Sequence, residues 1–237
     1  MIFSRLILRI KNFFSIGAGY YQGDLYHQIN TIFNQIDKKK ITYHEAIDLV
    51  EKITEENDLE EAFQPWIKKS LLNIAGNKIN LFSRIRIGII FVKQGEYEPI
   101  HYHSNFYSFQ IVLRGKGFLD EYSKINVSKD QIEFEKNGRK KISKNSVMLN
   151  FDSTRDIHGF GADENLYLLS IVKYFGFMGR FPFSLFRKTF HPNGRIYVDI
   201  DAAEEIDLKG TLKAPFIQPS EAYSKYKTIS NNSASTI

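Results

Sequence analysis

The stretch Gly95-Glu96-Tyr97-Glu98-Pro99-Ile100-His101-Tyr102-His103 decides how this chain is read. Tyr97 to His103 has β-type composition between turn residues at Gly95 and Ser104-Asn105. Residues i and i+2 of a strand project to the same face. His101 and His103 therefore point together, and their imidazoles can share one ion. Imidazole suits Fe, Zn, Cu and Ni.

The period-two pattern continues on both sides. Arg84 to Val92 precedes the histidine strand. Phe106 to Leu113, Gly117 to Tyr122, Ile132 to Phe134, Ser146 to Phe151, Leu166 to Tyr174 and Arg195 to Ile200 follow it. Gly95, Gly115, Asn137-Gly138 and His191-Pro192-Asn193-Gly194 read as turns between them. Short strands in this rhythm predict an antiparallel barrel or jelly roll. Upstream the period is helical. Leu25, Ile29, Ile32, Phe33 and Ile36 form one stripe. Thr42 and Glu45 make a capping box ahead of Ala46, Ile47, Val50 and Ile53. A third helix is expected from Leu59 to Ile74, ending near Gly76. Three segments result: a helical one over 1–78, a barrel over 79–214, and a C-terminal extension over 215–237, disordered at its Ser/Asn-rich end.

Five residues separate Gly95 from His101, four separate His103 from Ser108, and six separate Ser108 from Gly115. This spacing resembles the first motif of the cupin superfamily, with Ser108 where that family carries a glutamate. The second cupin motif supplies one more histidine from a later strand, and here it falls on His158. The Pro and Gly usual before it are Ser153 and Arg155, and the usual Asn after it is Ala162. The resemblance covers about residues 84 to 200. It implies a mainly β fold, a cupin-type antiparallel β-barrel with an N-terminal α-helical segment, and a metal held by His101, His103 and His158.

A three-histidine cupin site is similar to that of the thiol dioxygenases, which use Fe(II) and O2 to oxidise a thiol. Ile157-His158-Gly159-Phe160-Gly161-Ala162 looks like the third-ligand segment of the cysteamine dioxygenase and plant cysteine oxidase branch. The glycines normally preceding that histidine are absent, and no cysteine is present for the Cys–Tyr crosslink of some relatives. The resemblance implies a mononuclear non-haem Fe(II) dioxygenase acting on a small thiol or anionic substrate with O2. Zn, Ni, Mn or Cu are the other metals in view. A lyase or isomerase of the same fold, with Glu98 or a tyrosine moving a proton, and a non-catalytic ligand-binding cupin are the alternatives.

Other residues are candidates for lining the pocket. Ser108, Gln110 and Val112 share a face, and Gln110 is read either as a partner of a metal-bound ligand or as an outward residue. Arg84 and Arg86 share another face, as substrate clamps or as solvated cations. Tyr107 and Tyr174 are read as proton donors or as packing. Asp156 is a candidate partner for a histidine N–H. His27, His44 and His191 stand apart from any cluster.

Composition bounds the remaining functions. The 237 residues are 43% hydrophobic, 25% charged and 14% aromatic, enough apolar material for a core. The absence of cysteine excludes disulfides and thiolate chemistry, and it fits an expected cytoplasmic location. The net charge of +5 is dispersed, and Lys136 to Lys144 reads as the solvated face of a turn. Nucleic-acid binding is therefore not expected. Met1 to Ile16 is apolar but interrupted by Arg5, Arg9 and Lys11, too broken for a membrane span. Its helical spacing allows contact with a membrane surface, packing on the barrel, or a homodimer interface.

Overall fold

The computed structural model describes residues 23–64, 67, 78–80, 85–103, 106–150, 157–174 and 195–226. The segment 1–16, Arg84, Asp156 and His191 lie outside them.

Among the described residues, three helices precede the strands. The stripe along α1 (Gly23–Asp37) buries Ile29, Ile32, Phe33 and Ile36. In α2 (Tyr43–Glu56) the capping box forms: Glu45 N donates to Thr42 Oγ1 at 3.3 Å, and Thr42 N to Glu45 Oε2 at 2.6 Å. Asp58 caps the short α3 (Leu59–Ala62), with Phe63 and Ile67 buried beyond it. The rest of the expected third helix lies outside the described residues.

Twelve strands follow among the described residues. One antiparallel sheet has the order β1 (Lys78–Asn80), β2 (Ile85–Val92), β9 (Leu166–Tyr174), β4 (Phe106–Arg114), β7 (Val147–Asn150). The other runs β10 (Arg195–Val198), β3 (Tyr97–His103), β8 (Ile157–Ala162), β5 (Gly117–Val127), β6 (Gln131–Ile142), β12 (Leu212–Ile217), β11 (Glu204–Glu205). Within them, the quartets β2-β9-β4-β7 and β3-β8-β5-β6 give the strand order of a jelly roll. The fold is mainly β, an antiparallel jelly-roll barrel with helices ahead of it.

Alternation along the strands builds three cores. Phe109, Ile111, Leu113, Ile87, Ile89, Leu169 and Ile171 face outward and pack under the helices. The Phe33 and Phe109 rings meet at 4.7 Å. The intervening residues Val92, Val112, Leu119, Met148, Phe160 and Leu168 face into the barrel and fill part of it. The third core lies on the reverse of the histidine-bearing sheet and contains Tyr102, Tyr122, Ile132, Phe134, Ile157 and Val198. There β10 also pairs with β12, through Tyr197 opposite Ile217 and Val198 opposite Phe216. Strands β10, β3, β8, β5, β6 and β12 thus form a closed circuit, which removes free edges. A last helix, α4 (Pro219–Tyr226), plugs this core with Ala222 and Tyr226.

Several sequence expectations are corrected. Asn137-Gly138 is no hairpin turn but a bulge inside β6, where Glu121 opposes Gly138 and Tyr122 opposes Lys136. Gly138 takes φ +113° there, so the signal was for left-handed backbone rather than chain reversal. Most of Lys136 to Lys144 accordingly belongs to a strand. Strand β1 runs Lys78–Asn80, β12 runs Leu212–Ile217, and the described elements continue to Tyr226. No helix among the described residues is long and apolar enough to cross a membrane.

Candidate metal centre

Strands β3 and β8 bring the histidines together. His101 is the register partner of His158, and His103 lies two residues further along the same face. All three side chains are at most 5% exposed. Their ring centroids are 4.6–5.1 Å apart. One ligand nitrogen from each lies within 4.8 Å of the others, close enough to share one ion. No carboxylate joins this group among the described residues.

The local backbone prepares His101 for ligation. The register shifts between Glu98 and His101, a bulge at Pro99-Ile100. The bulge brings the Pro99 carbonyl to 2.7 Å from His101 Nδ1. With the proton on Nδ1 donated there, the Nε2 lone pair points away. His101 Nε2 is buried and has no hydrogen-bond partner among the described residues. Burial, then the neighbouring His158, Arg195 and His103, hold the His101 pKa well below its usual value. Burial, then His158 and Arg195, do the same for His103. Both imidazoles are therefore neutral at neutral pH, the form that binds metals. The orphaned nitrogen and the donor set fit an ion such as Fe(II), Zn(II), Ni(II) or Cu(II).

Beside the histidines lies a polar network that the sequence reading did not assemble. Arg195 is the register partner of His103, and Tyr197 that of His101. The Tyr197 and His101 rings lie 5.5 Å apart. Arg195 Nη1 donates to Glu98 Oε1 at 2.6 Å, with side chains 12% and 8% exposed. Tyr223 of α4 donates to Glu98 at 2.9 Å, and its hydroxyl lies 3.0 Å from that of Tyr197. Burial opposes the charge of Arg195, yet Glu98 keeps its pKa above the ordinary value. Burial, and then Glu98, push Tyr197 up to about 12, so it stays a neutral donor. Glu98 is thus engaged by a buried cation. The one signal for this group in the sequence was Arg195-x-Tyr197, charged and phenolic residues alternating on a strand.

The other candidates separate by face. Ser108 and Gln110 share the inward face of β4 with Val112 and are at most 2% exposed. Tyr107 is the opposite case. It sits half-buried on the outward face with Phe109 and Ile111, near Asp37 of α1, and not beside the histidines. Strand parity excludes it from a pocket that contains Ser108. Arg86 opposes Val172 and Tyr174 opposes Phe106 in the backbone register. Among the described residues His44 is exposed and belongs to no metal-binding group.

No family model matches the chain, and neither does any curated protein. Solved structures give slight likenesses. Vicilin from Capsicum annuum is 15% identical with TM-score 0.31, over 39% of this chain and 24% of that one. An uncharacterised double-stranded β-helix protein from Klebsiella pneumoniae is 14% identical with TM-score 0.29, over 39% and 69%. A cupin superfamily protein from Desulfitobacterium hafniense is 12% identical with TM-score 0.28, also over 39% and 69%. The match spans about a quarter of the vicilin chain. The fold class rests on the strand order itself: the chain is a jelly-roll barrel with a buried three-histidine group.

Proposed function

We propose that this chain is a mononuclear metal-dependent cupin enzyme, a non-haem iron dioxygenase acting on a small thiol or anionic substrate with O2. The observation that carries the proposal is the buried cluster of three imidazoles with ligand atoms within 4.8 Å of one another. His101, His103 and His158 would hold the ion. Fe(II), when bound, supplies the one-electron chemistry that O2 requires. Three neutral ligands leave the ion's charge uncompensated, and Arg195 adds a buried cation whose charge Glu98 balances. An anionic ligand is favoured on that account. Tyr197 and Tyr223 supply neutral hydroxyls beside the site and fix the Glu98 carboxylate. The barrel packing excludes water from one side of the cluster through Phe160, whose ring stacks 6.2 Å from that of His158.

Elemental analysis tests the reading. Wild type and the His101→Ala, His103→Ala and His158→Ala variants are purified without chelator and reloaded anaerobically with Fe(II). The expected result is about one iron per chain in wild type and little in each variant. Oxygen uptake with thiols and small acids then separates a dioxygenase from a lyase or isomerase, and turnover of any kind separates these from a ligand-binding barrel. A wild type that stays metal-free under every loading condition, with folded variants, would remove the metalloenzyme reading.

A further inference from the structure

Gln110 sits in the middle of β4, opposite Met148 of β7 and Ser170 of β9. Its side chain is 2% exposed, and its Oε1 accepts no hydrogen bond among the described residues. A buried amide oxygen without a donor is costly, so such atoms are nearly always satisfied. The surroundings show where its partner would come from. Phe109 and Ile111 turn outward beneath the helices, so Gln110 turns inward with Val112. Val112 and Met148 flank it and share the barrel's inner core with Phe160. Phe160 in turn stacks on His158. Gln110 therefore borders the apolar floor of the barrel, on the sheet facing the imidazoles. Facing sheets lie about 10 Å apart, a gap that a glutamine side chain and a metal-bound ligand fill together.

We propose that the site takes a small anion bearing a protic group, O–H or N–H, beside its charged end, and that Gln110 Oε1 accepts the hydrogen bond from it. This inference rests on the metal-dependent reading above. The charge of the ion selects the anionic end, while the amide oxygen selects the donor. A site built to hydrogen-bond a donor rejects the analogue lacking it, because its own polar atom is then left unpaired. Ligands without a donor should lose about tenfold or more in affinity.

Two probes separate the terms: glycolate, which carries a hydroxyl beside its carboxylate, and methoxyacetate, which carries none. Each is titrated into Co(II)-loaded protein and followed by the visible cobalt spectrum. In wild type glycolate should bind about tenfold tighter or more. Gln110→Met keeps the volume and removes the acceptor, and it should bring the two affinities within about twofold, which also sets the steric baseline. If the variant does not fold, the wild-type ratio alone decides, with equal affinities or preference for methoxyacetate overturning the inference. An unchanged ratio in a folded Gln110→Met protein overturns it too. Failure of wild type to bind Co(II) removes the metal reading and this inference with it, whereas Co(II) binding with equal affinities removes this inference alone.

Discussion

His101 illustrates how much one carbonyl can settle. A proline cannot donate from its nitrogen, and the bulge at Pro99 turns its carbonyl toward the imidazole 2.7 Å away. One ring nitrogen is thereby engaged and the other left as a ligand. Glu98 and Arg195 show the reverse economy, two charges that tolerate burial only together. Removing one partner of a buried pair typically costs about 3–5 kcal/mol. Arg195→Met should fall in that range by urea denaturation, and adding Glu98→Gln should recover part of the loss. A single variant as stable as wild type would show that the pair is not energetically buried. The histidines were legible because their arrangement is local: an i, i+2 pair shows its shared face in the sequence. Arg195 and Tyr197 were not, since their place depends on pairing with His103 and His101 over 90 residues away. Gln110 was half legible, with its face given by alternation and its direction only by packing. Tyr107 follows the same alternation, on the outward face with Phe109 and Ile111.

Elements divide into those that carry the site and those that support it. The helices cover the outward face of β4 and β9, away from the histidines. Phe33→Ala should cost about 3–5 kcal/mol, as large cavities in packed cores do. Cobalt uptake by the folded variant should match wild type, and a parallel loss of metal would mean that the layers are coupled. At the other end α4 is pinned to Asp199, through Lys225 at 2.6 Å and through the Tyr226 hydroxyl. Burial raises the Asp199 pKa, but these two partners lower it more, so it lies below the ordinary value. A carboxyl that titrates lower when folded contributes stability that is complete at neutral pH and lost as pH falls below about 4. Stability of Asp199→Asn should therefore decline less steeply with acidification than that of wild type in that window. Superimposable profiles would dismiss the pairing as a stabilising one. The strands were legible from their alternation, and the capping box from Thr42 and Glu45. The Asn137-Gly138 bulge was not, because a left-handed glycine serves a turn and a bulge alike.

At the scale of the molecule, β3 and β8 belong to two enclosures at once. One face lines the jelly roll and carries the histidines, and the other lines the circuit closed by β10 and β12. This second enclosure was invisible in the sequence, because closure rests on two residue pairs joining distant strands. A metal bound only by the folded barrel stabilises it by mass action, about 2.7 kcal/mol at a hundred times its dissociation constant. Cobalt should accordingly raise the thermal midpoint of wild type and leave that of His101→Ala in place. An equal rise in both would assign the effect to a different site.

Strand β8 lies between β3 and β5, hydrogen-bonded on both sides. On its reverse face a side chain at Gly161 would lie 2.2 Å from the Phe118 ring, and one at Gly159 2.3 Å from the Tyr97 hydroxyl. The aromatic rings rest on bare backbone there. The consequence is one of time. A strand clamped on both edges and roofed on one face does not fray on its own, so its amides exchange with solvent only when the barrel opens as a whole. His158 keeps its place for as long as the fold lasts.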